Sequence, residues 1–149
     1  NGDTAAANAL DDYEEGTWTP DLKRWTGSAW WSNTWDSAPS TNIGLYTKIG
    51  NVVYVTFYID GFNVGSGTAN KYAALDGLPY TATSTSGNVG HLQIVASNNA
   101  FTNNVYTTFW IANNSTFSST SMVDDYGSHN AWQDSNAYMR GMGFYFTDG

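Results

Sequence analysis

The sequence predicts an all-β domain, an antiparallel sandwich or barrel. Short stretches that alternate apolar and polar residues are separated by turns rich in Gly, Asn and Ser, which is typical of sandwiches and barrels. No stretch sustains the helical period of 3.6 residues. Only 12% of the residues are charged, about half the usual share, whereas 16% are aromatic. Aromatic residues and Thr are enriched in β-strands, so the composition indicates the same all-β fold as the residue pattern.

Length and charge limit the classes of function. A chain of 149 residues fits one domain. We expect residues 1–9 to be a linker from an upstream part of a longer protein, and residues 10–149 to be the folded domain. The net charge of −8 disfavours nucleic acid and anionic membrane surfaces but leaves neutral sugars open. The chain has no Cys, which excludes disulfides and thiolate metal sites. No apolar run reaches the roughly 18 residues of a membrane-spanning helix, so no membrane insertion is expected.

The region of residues 10–42 is predicted to hold one short strand between two irregular segments. The acidic stretch at 11–15 has no base close to it in sequence, which favours a solvated loop. Residues 16–20 (GTWTP) indicate a strand that ends at the proline, with Trp18 facing inward. Residues 25–42 hold several Trp among Ser, Thr, Gly and Asn, and this composition indicates a loop or an irregular hairpin.

The next region predicts a β-hairpin. Residues 44–48 alternate, residues 49–51 (IGN) form a tight turn, and residues 52–59 form a long strand. Both faces of that strand are largely apolar, and such strands are normally covered on both sides. One face would meet a second sheet, and the other would meet a neighbouring chain or a covering loop. This second apolar face is the main argument from the residues for an oligomer.

The rest of the chain predicts four more strands, at residues 71–75, 89–96, 105–112 and 138–147. Turns or polar loops are expected at residues 60–70, 77–88, 98–104, 113–121 and 123–136. The strand at 89–96 is expected to direct Leu92 and Ile94 to one face and His91 to the other. His91 is expected to be a core or interface residue.

Three segments carry a family resemblance. They are residues 10–20 (LDDYEEGTWTP), 45–59 (LYTKIGNVVYVTFYI) and 75–80 (LDGLPY). In this order they resemble the C-terminal head domain of bacteriophage tail fibres and receptor-binding proteins, and residues 138–146 are similar to the closing strand of such heads. Residues 23–42 and 113–136 match no pattern of the family.

The resemblance implies a homotrimeric, jelly-roll-like antiparallel β-sandwich at the end of a fibre, joined to an upstream fibre shaft. Such a head would belong to the virion, would be extracellular, and would contact a host surface receptor. The family carries no uniform set of ligand residues, so the resemblance assigns none to this chain.

Two aromatic clusters in the unmatched loops are the candidate ligand-binding residues. The first contains Trp25, Trp30, Trp31 and Trp35, and the second contains Tyr126, His129 and Trp132. Aromatic rings stack on the apolar faces of sugars while neighbouring polar groups fix the orientation of the sugar, so a host glycan is the expected ligand. The alternative is that these rings pack within their loops or at subunit contacts, as large rings usually do.

Catalytic and metal sites are not expected. No G-x-S-x-G motif occurs, and the chain is too short for the repetitive β-helix of tailspike enzymes. Asp124, Asp125, His129 and Asp134 are potential metal ligands, but a solvated polar loop is the favoured explanation of these residues, so neither metal nor other cofactor is predicted.

The expected function is therefore non-enzymatic receptor binding by a trimeric fibre tip, with a glycan as the receptor. Two alternatives stay open. The first is a structural trimerisation cap or a capsid (head) fibre domain that binds no receptor. The second is an enzyme that degrades surface polysaccharide, for which two suitably spaced carboxylates would be needed.

Overall fold

The computed structural model describes residues 12–25, 30–31, 38–62, 73–85, 88–98, 108–114, 118–120 and 136–148. These residues form ten strands and contain no helix. The strands are β1 (Tyr13–Trp18), β2 (Asp21–Trp25), β3 (Trp30–Trp31), β4 (Thr41–Ile49), β5 (Val52–Phe62), β6 (Ala73–Asp76), β7 (Asn88–Asn98), β8 (Thr108–Ala112), β9 (Ser118–Thr120) and β10 (Ala137–Phe146).

All strand pairs in the described part of the chain are antiparallel. The strands β1-β4-β5-β10-β7-β8 form a six-stranded sheet, and the shorter strands β9-β6-β2-β3 continue from β8 as a small second sheet. Strand β10 lies between β5 and β7, although more than 70 residues separate it from β5 in sequence. The prediction of an all-β antiparallel fold is confirmed.

The core lies on one face of the six-stranded sheet, which we call the inner face. Every second residue of β5, from Val53 to Ile59, is at most 3% exposed. The small second sheet contributes Leu22 and Leu75, both fully buried, to the same apolar cluster. The two sheets therefore share one hydrophobic core, and the burial of such side chains stabilises each by about 1.5–3 kcal/mol.

Large rings on the inner face lie opposite glycines of the neighbouring strand. Tyr46 of β4 faces Gly16 of β1, and a methyl group at position 16 would lie 2.8 Å from the ring. Trp18 of β1 covers Gly44 of β4 so closely that a methyl group there would overlap the indole. A glycine opposite a large ring lets the ring lie flat over the sheet, and this complementarity fixes the register of the two strands.

A buried phenol connects the six-stranded sheet to the turn at residues 77–80. The Tyr145 hydroxyl donates to the Tyr80 carbonyl and accepts from the Tyr80 backbone N–H, both at 3.0 Å. Tyr145 is fully buried, and burial raises its pKa, so the hydroxyl stays protonated. The turn is thus held by a side chain 65 residues further along the chain.

The strand predictions were confirmed where the alternation was regular. Trp18 is buried as expected, the turn falls at Gly50-Asn51, and the alternation at 89–96 places Leu92 and Ile94 inward. The side chain of His91 is exposed, so its interpretation as a core residue was wrong.

Several boundaries and short elements were predicted wrongly. The acidic segment was expected to be a loop, but β1 begins at Tyr13 because residues 13–15 pair with β4. Strand β5 extends to Phe62 rather than ending at Ile59, which shortens the loop expected at 60–70. Strands β2, β3 and β9 were not predicted as strands. The expected strand at 105–107 and the loop at 123–135 lie outside the described residues.

The Gly77 turn provides a stability prediction. Gly77 has φ = 81°, and a methyl group there would lie 2.5 Å from the Thr19 carbonyl oxygen. Gly50 has φ = 58° with open space around it, so it isolates the cost of the backbone angle alone. We expect Gly50→Ala to cost about 1 kcal/mol and Gly77→Ala about 2–4 kcal/mol in the free energy of unfolding. Denaturant titrations at equal protein concentration check this, and equal losses would contradict it.

Candidate functional site

The structure describes only the backbone positions of three predicted ligand residues. Trp25 pairs with Trp30, and Trp31 pairs with Arg24, so β2 and β3 form a short hairpin at the edge of the small sheet. Trp35, Tyr126, His129 and Trp132 lie outside the described residues, as do the potential metal ligands Asp124, Asp125 and Asp134. The two predicted aromatic clusters therefore stay predictions.

The outer face of the six-stranded sheet is broadly apolar and exposed. Leu45, Thr56 and Met142 lie side by side on β4, β5 and β10, and Leu45 and Met142 are each more than 50% exposed. A second row places Ile49, Val52 and Phe146 on the same three strands. Further exposed apolar side chains on this sheet are Ile43, Tyr54, Tyr58, Val95 and Trp110. We call this surface the outer face.

A shallow depression lies within the outer face. It has a volume of about 350 Å³, and Ile43, Leu45, Val95 and Met142 are among the residues that line it. A β-bulge produces it, because Arg140 pairs with Ala96 and Gly141 with Ile94, which leaves Val95 unpaired between them.

A second concave surface lies at one end of the six-stranded sheet, and we call it the polar pocket. Its volume is about 340 Å³, and its polar lining is Glu14, Lys48, Tyr80, Thr81, Thr147 and Asp148. Each of the three segments that carry the family resemblance contributes one of these residues. Glu14 comes from residues 10–20, Lys48 from 45–59 and Tyr80 from 75–80. No local pattern in the sequence indicates this convergence, because Glu14 and Tyr80 are 66 residues apart.

Glu14 is the centre of the contacts in the polar pocket. Its Oε2 accepts a hydrogen bond of 2.6 Å from the Tyr80 hydroxyl, and its Oε1 lies 3.5 Å from Lys48 Nζ. The hydrogen bond from Tyr80, assisted by the charge of Lys48, lowers the pKa of Glu14. The same bond to Glu14 raises the pKa of Tyr80, so the phenol remains a donor at neutral pH. Lys48 Nζ also lies 5.7 Å from the centroid of the Tyr80 ring.

Asp148 forms the opposite wall of the polar pocket. Its carboxylate accepts hydrogen bonds from the Thr83 hydroxyl and from the Ser84 backbone N–H. These bonds lower the pKa of Asp148, so both acids of the pocket are ionised at neutral pH. The loop that provides the donors is anchored to β10, because the Thr83 N–H donates to the Phe146 carbonyl.

The small sheet holds a different pair of acids. Asp21 and Asp76 are directly opposite each other on β2 and β6, and Lys23 forms an ion pair with Asp76. Desolvation raises the pKa of Asp21, and the nearby charge of Lys23 opposes that rise. A carboxyl group with a raised pKa beside a second carboxyl group is an arrangement that glycosidases use.

The described residues contain neither a metal-binding cluster nor a membrane-spanning helix. No group of three or more His, Cys, Asp or Glu residues in that part of the chain is placed to hold a metal ion. No helix long and apolar enough to cross a membrane occurs among these residues.

Comparison with known proteins gives no family assignment. No protein-family model matches the chain, and no curated protein or solved structure is significantly similar to it. Function must therefore be argued from the residues and their geometry.

The Glu14 contacts predict a dependence of stability on pH. A carboxyl group with a lowered pKa in the folded state stabilises the fold above its unfolded pKa, and this contribution is lost as pH falls through the folded pKa. The ordinary value for Glu14 is 4.5, so the loss begins near that pH and continues below it. We expect Glu14→Gln to be less stable than the parent at pH 7 and to approach it at acid pH. Thermal unfolding from pH 7 to pH 2.5 measures the difference.

Glu15→Gln is the matched control for this experiment. It removes the same charge from the adjacent residue of β1, which pairs with Thr47 and accepts from the exposed Tyr13 hydroxyl. A pH profile for Glu14→Gln that runs parallel to that of Glu15→Gln would show that the contacts with Tyr80 and Lys48 do not stabilise the fold.

Proposed function

We propose that this chain is the head domain of a bacteriophage tail fibre, a jelly-roll-like β-sandwich that trimerises and binds a host surface glycan without catalysis. The outer face is the observation that carries the proposal. It leaves a wide apolar surface exposed on a chain that otherwise depends on polar residues for solubility. Such surfaces mark contacts with other molecules. The resemblance of residues 10–20, 45–59 and 75–80 to fibre heads supports the same proposal.

Further copies of this chain are the proposed partner of the outer face. Across β4, β5, β10, β7 and β8 the face is roughly 20 Å wide at the usual strand spacing. Its acids in the described part lie toward its margins, Glu15 on the edge strand β1 and Asp60 near the end of β5, whereas Arg140 lines the depression together with Met142. Two copies with a net charge of −8 can therefore bring these faces together without placing their acids in direct opposition.

The receptor is proposed to be a glycan. The unmatched loops at 23–42 and 113–136 supply the rings that stack on sugars, and Trp30 and Trp31 lie at the edge of the small sheet. In a trimer three equivalent sites act together, so avidity compensates for weak binding at each site. Attachment of this kind requires no catalytic residue. The low pKa of both acids in the polar pocket supports the non-enzymatic proposal, since neither donates a proton at neutral pH.

Two alternatives make different predictions. A trimerisation cap or capsid fibre domain would show the same outer-face assembly and no adsorption to cells. A polysaccharide-degrading enzyme is favoured by one observation, the pairing of Asp21 with Asp76. Release of reducing ends from host polysaccharide by the parent chain, abolished in Asp21→Asn, would establish the enzyme.

If the outer face forms the subunit contact, the chain should be a trimer, and a charged side chain introduced into that face should dissociate it. Light scattering after size exclusion should give three times the 16.2 kDa chain mass for the parent. Leu45→Glu and Met142→Glu place an unpaired carboxylate in the contact and should raise the dissociation constant by about 100-fold or more. Thr19→Glu, at an exposed position between β1 and β2, is the control. A monomeric parent at micromolar concentration would refute the proposed assembly.

The aromatic loops predict a loss of adsorption. Trp31→Ala and Trp132→Ala should each reduce adsorption to host cells about tenfold, because a ring that stacks on a sugar is lost from every site of the trimer. Point substitutions are preferred to deletion of residues 23–42, since that deletion removes β3 and parts of β2 and β4. Unchanged unfolding and trimer mass are required for interpretation. Normal adsorption of both folded variants would exclude these two rings from the receptor site.

A further inference from the structure

We infer that the polar pocket is itself a sugar site, built to bind one ring of a neutral, hydroxyl-rich saccharide. This inference rests on the proposed glycan function, but it places a contact with the sugar where the three resemblance segments converge and not in the aromatic loops. The pocket combines a buried ammonium, two carboxylates and a phenol around one opening.

The Lys48 ammonium has spare donors in the pocket. Its side chain is only 9% exposed, and the contacts found for it among the described residues are Glu14 Oε1 at 3.5 Å and the Tyr80 ring at 5.7 Å. An ammonium carries three N–H donors, and a charge-assisted hydrogen bond is typically about 2.8 Å long. Its contact with Glu14 is longer than that. A nearly buried cation with unused donors favours a ligand that supplies oxygen acceptors.

The carboxylates of Glu14 and Asp148 supply hydrogen-bond acceptors around the same opening. Glu14 accepts from Tyr80, and Asp148 accepts from Thr83 and Ser84. A carboxylate has about four lone-pair positions, so each retains capacity for a ligand hydroxyl. A group that both donates to carboxylates and accepts from an ammonium is a hydroxyl, and a molecule with several adjacent hydroxyls is a sugar.

Charge selects a neutral sugar over an acidic one. Glu14 and Asp148 together outweigh the single charge of Lys48 in the lining, and the whole chain carries −8. The negative potential of the pocket would repel a sialic acid or a phosphorylated sugar. The Tyr80 ring, which also lines the pocket, offers an apolar surface against the sugar ring.

The size and the opening of the pocket fit one residue of a longer glycan. A volume of about 340 Å³ is at the lower end of the range for small-ligand sites. Thr81 at its rim is exposed, so the pocket opens to solvent and a bound ring can be part of a chain that continues outward.

The test is binding of defined saccharides to the full 149-residue chain. Methyl α-D-glucopyranoside, methyl β-D-galactopyranoside and N-acetyl-D-glucosamine are the neutral probes, and N-acetylneuraminic acid is the charged one, measured by saturation-transfer NMR and by titration. We expect at least one neutral probe to bind and the charged probe not to bind. Thr81→Arg, which fills the opening, and Lys48→Met, which keeps the stem and removes the donors, should each weaken binding about tenfold or more. Thr19→Arg adds the same side chain at an exposed position between β1 and β2, outside the pocket lining, and should leave binding within about twofold.

Thr81→Arg protects the test against a folding defect, because Thr81 is exposed whereas Lys48 is buried. Sugar binding that survives both pocket variants but is lost in Trp31→Ala would overturn this inference and leave the proposed function intact. No binding of any probe by a chain that still adsorbs to host cells would also overturn it. Pocket-dependent sugar binding by a chain that does not adsorb would support the pocket and refute the proposed attachment role.

Discussion

The packing of large rings over glycines on the inner face is the constraint on which the rest of the structure depends. Trp18 over Gly44 and Tyr46 over Gly16 interlock β1 with β4, since each strand provides one ring and one glycine. A slip of one residue would turn both rings outward and leave both glycines uncovered. Because this register is fixed, Glu14 falls directly opposite Lys48, and the polar lining of the pocket is a consequence of the same pairing.

The same arrangement explains why the resemblance segments look as they do. The glycine of GTWTP makes room for a ring, and the tryptophan of that segment covers another glycine. The glycine of LDGLPY, Gly77, allows the close approach to the Thr19 carbonyl. The residue pattern of these segments therefore reflects packing first. Glu14, Lys48 and Tyr80, which come from the same three segments, line one pocket, so scaffold and candidate site are built from the same short stretches of sequence.

The sequence predicted elements where periodicity was strong and failed where contacts were short or distant. Strands β5, β7 and β10 alternate over eight residues or more, so the sequence divides each of them into two faces. Alternation did not show which face of β4 is buried, because Ile43, Leu45 and Ile49 lie on the exposed outer face and Lys48 is buried on the inner one. Strands of two to five residues, such as β3 and β9, are too short to show a period, and each is held by pairing with a neighbouring strand. The contact of Glu14 with Tyr80 depends on tertiary folding, so it cannot be predicted from a local sequence pattern. The second apolar face of β5 was predicted, and its side chains Tyr54 and Tyr58 lie exposed, so its covering by a neighbouring chain stays a prediction.

The central position of β10 also has a consequence for how the chain acquires its structure. Strand β10 is the last of the described strands in sequence, yet it is hydrogen-bonded on both sides, to β5 and to β7. During synthesis these two partners emerge long before it, and their facing edges have no neighbour until it inserts. Unsatisfied edges of this kind pair readily with other chains. Neighbouring nascent copies of the chain would hold these unpaired edges close together until β10 is complete, so pairing between chains is the misfolding route that the late synthesis of β10 favours.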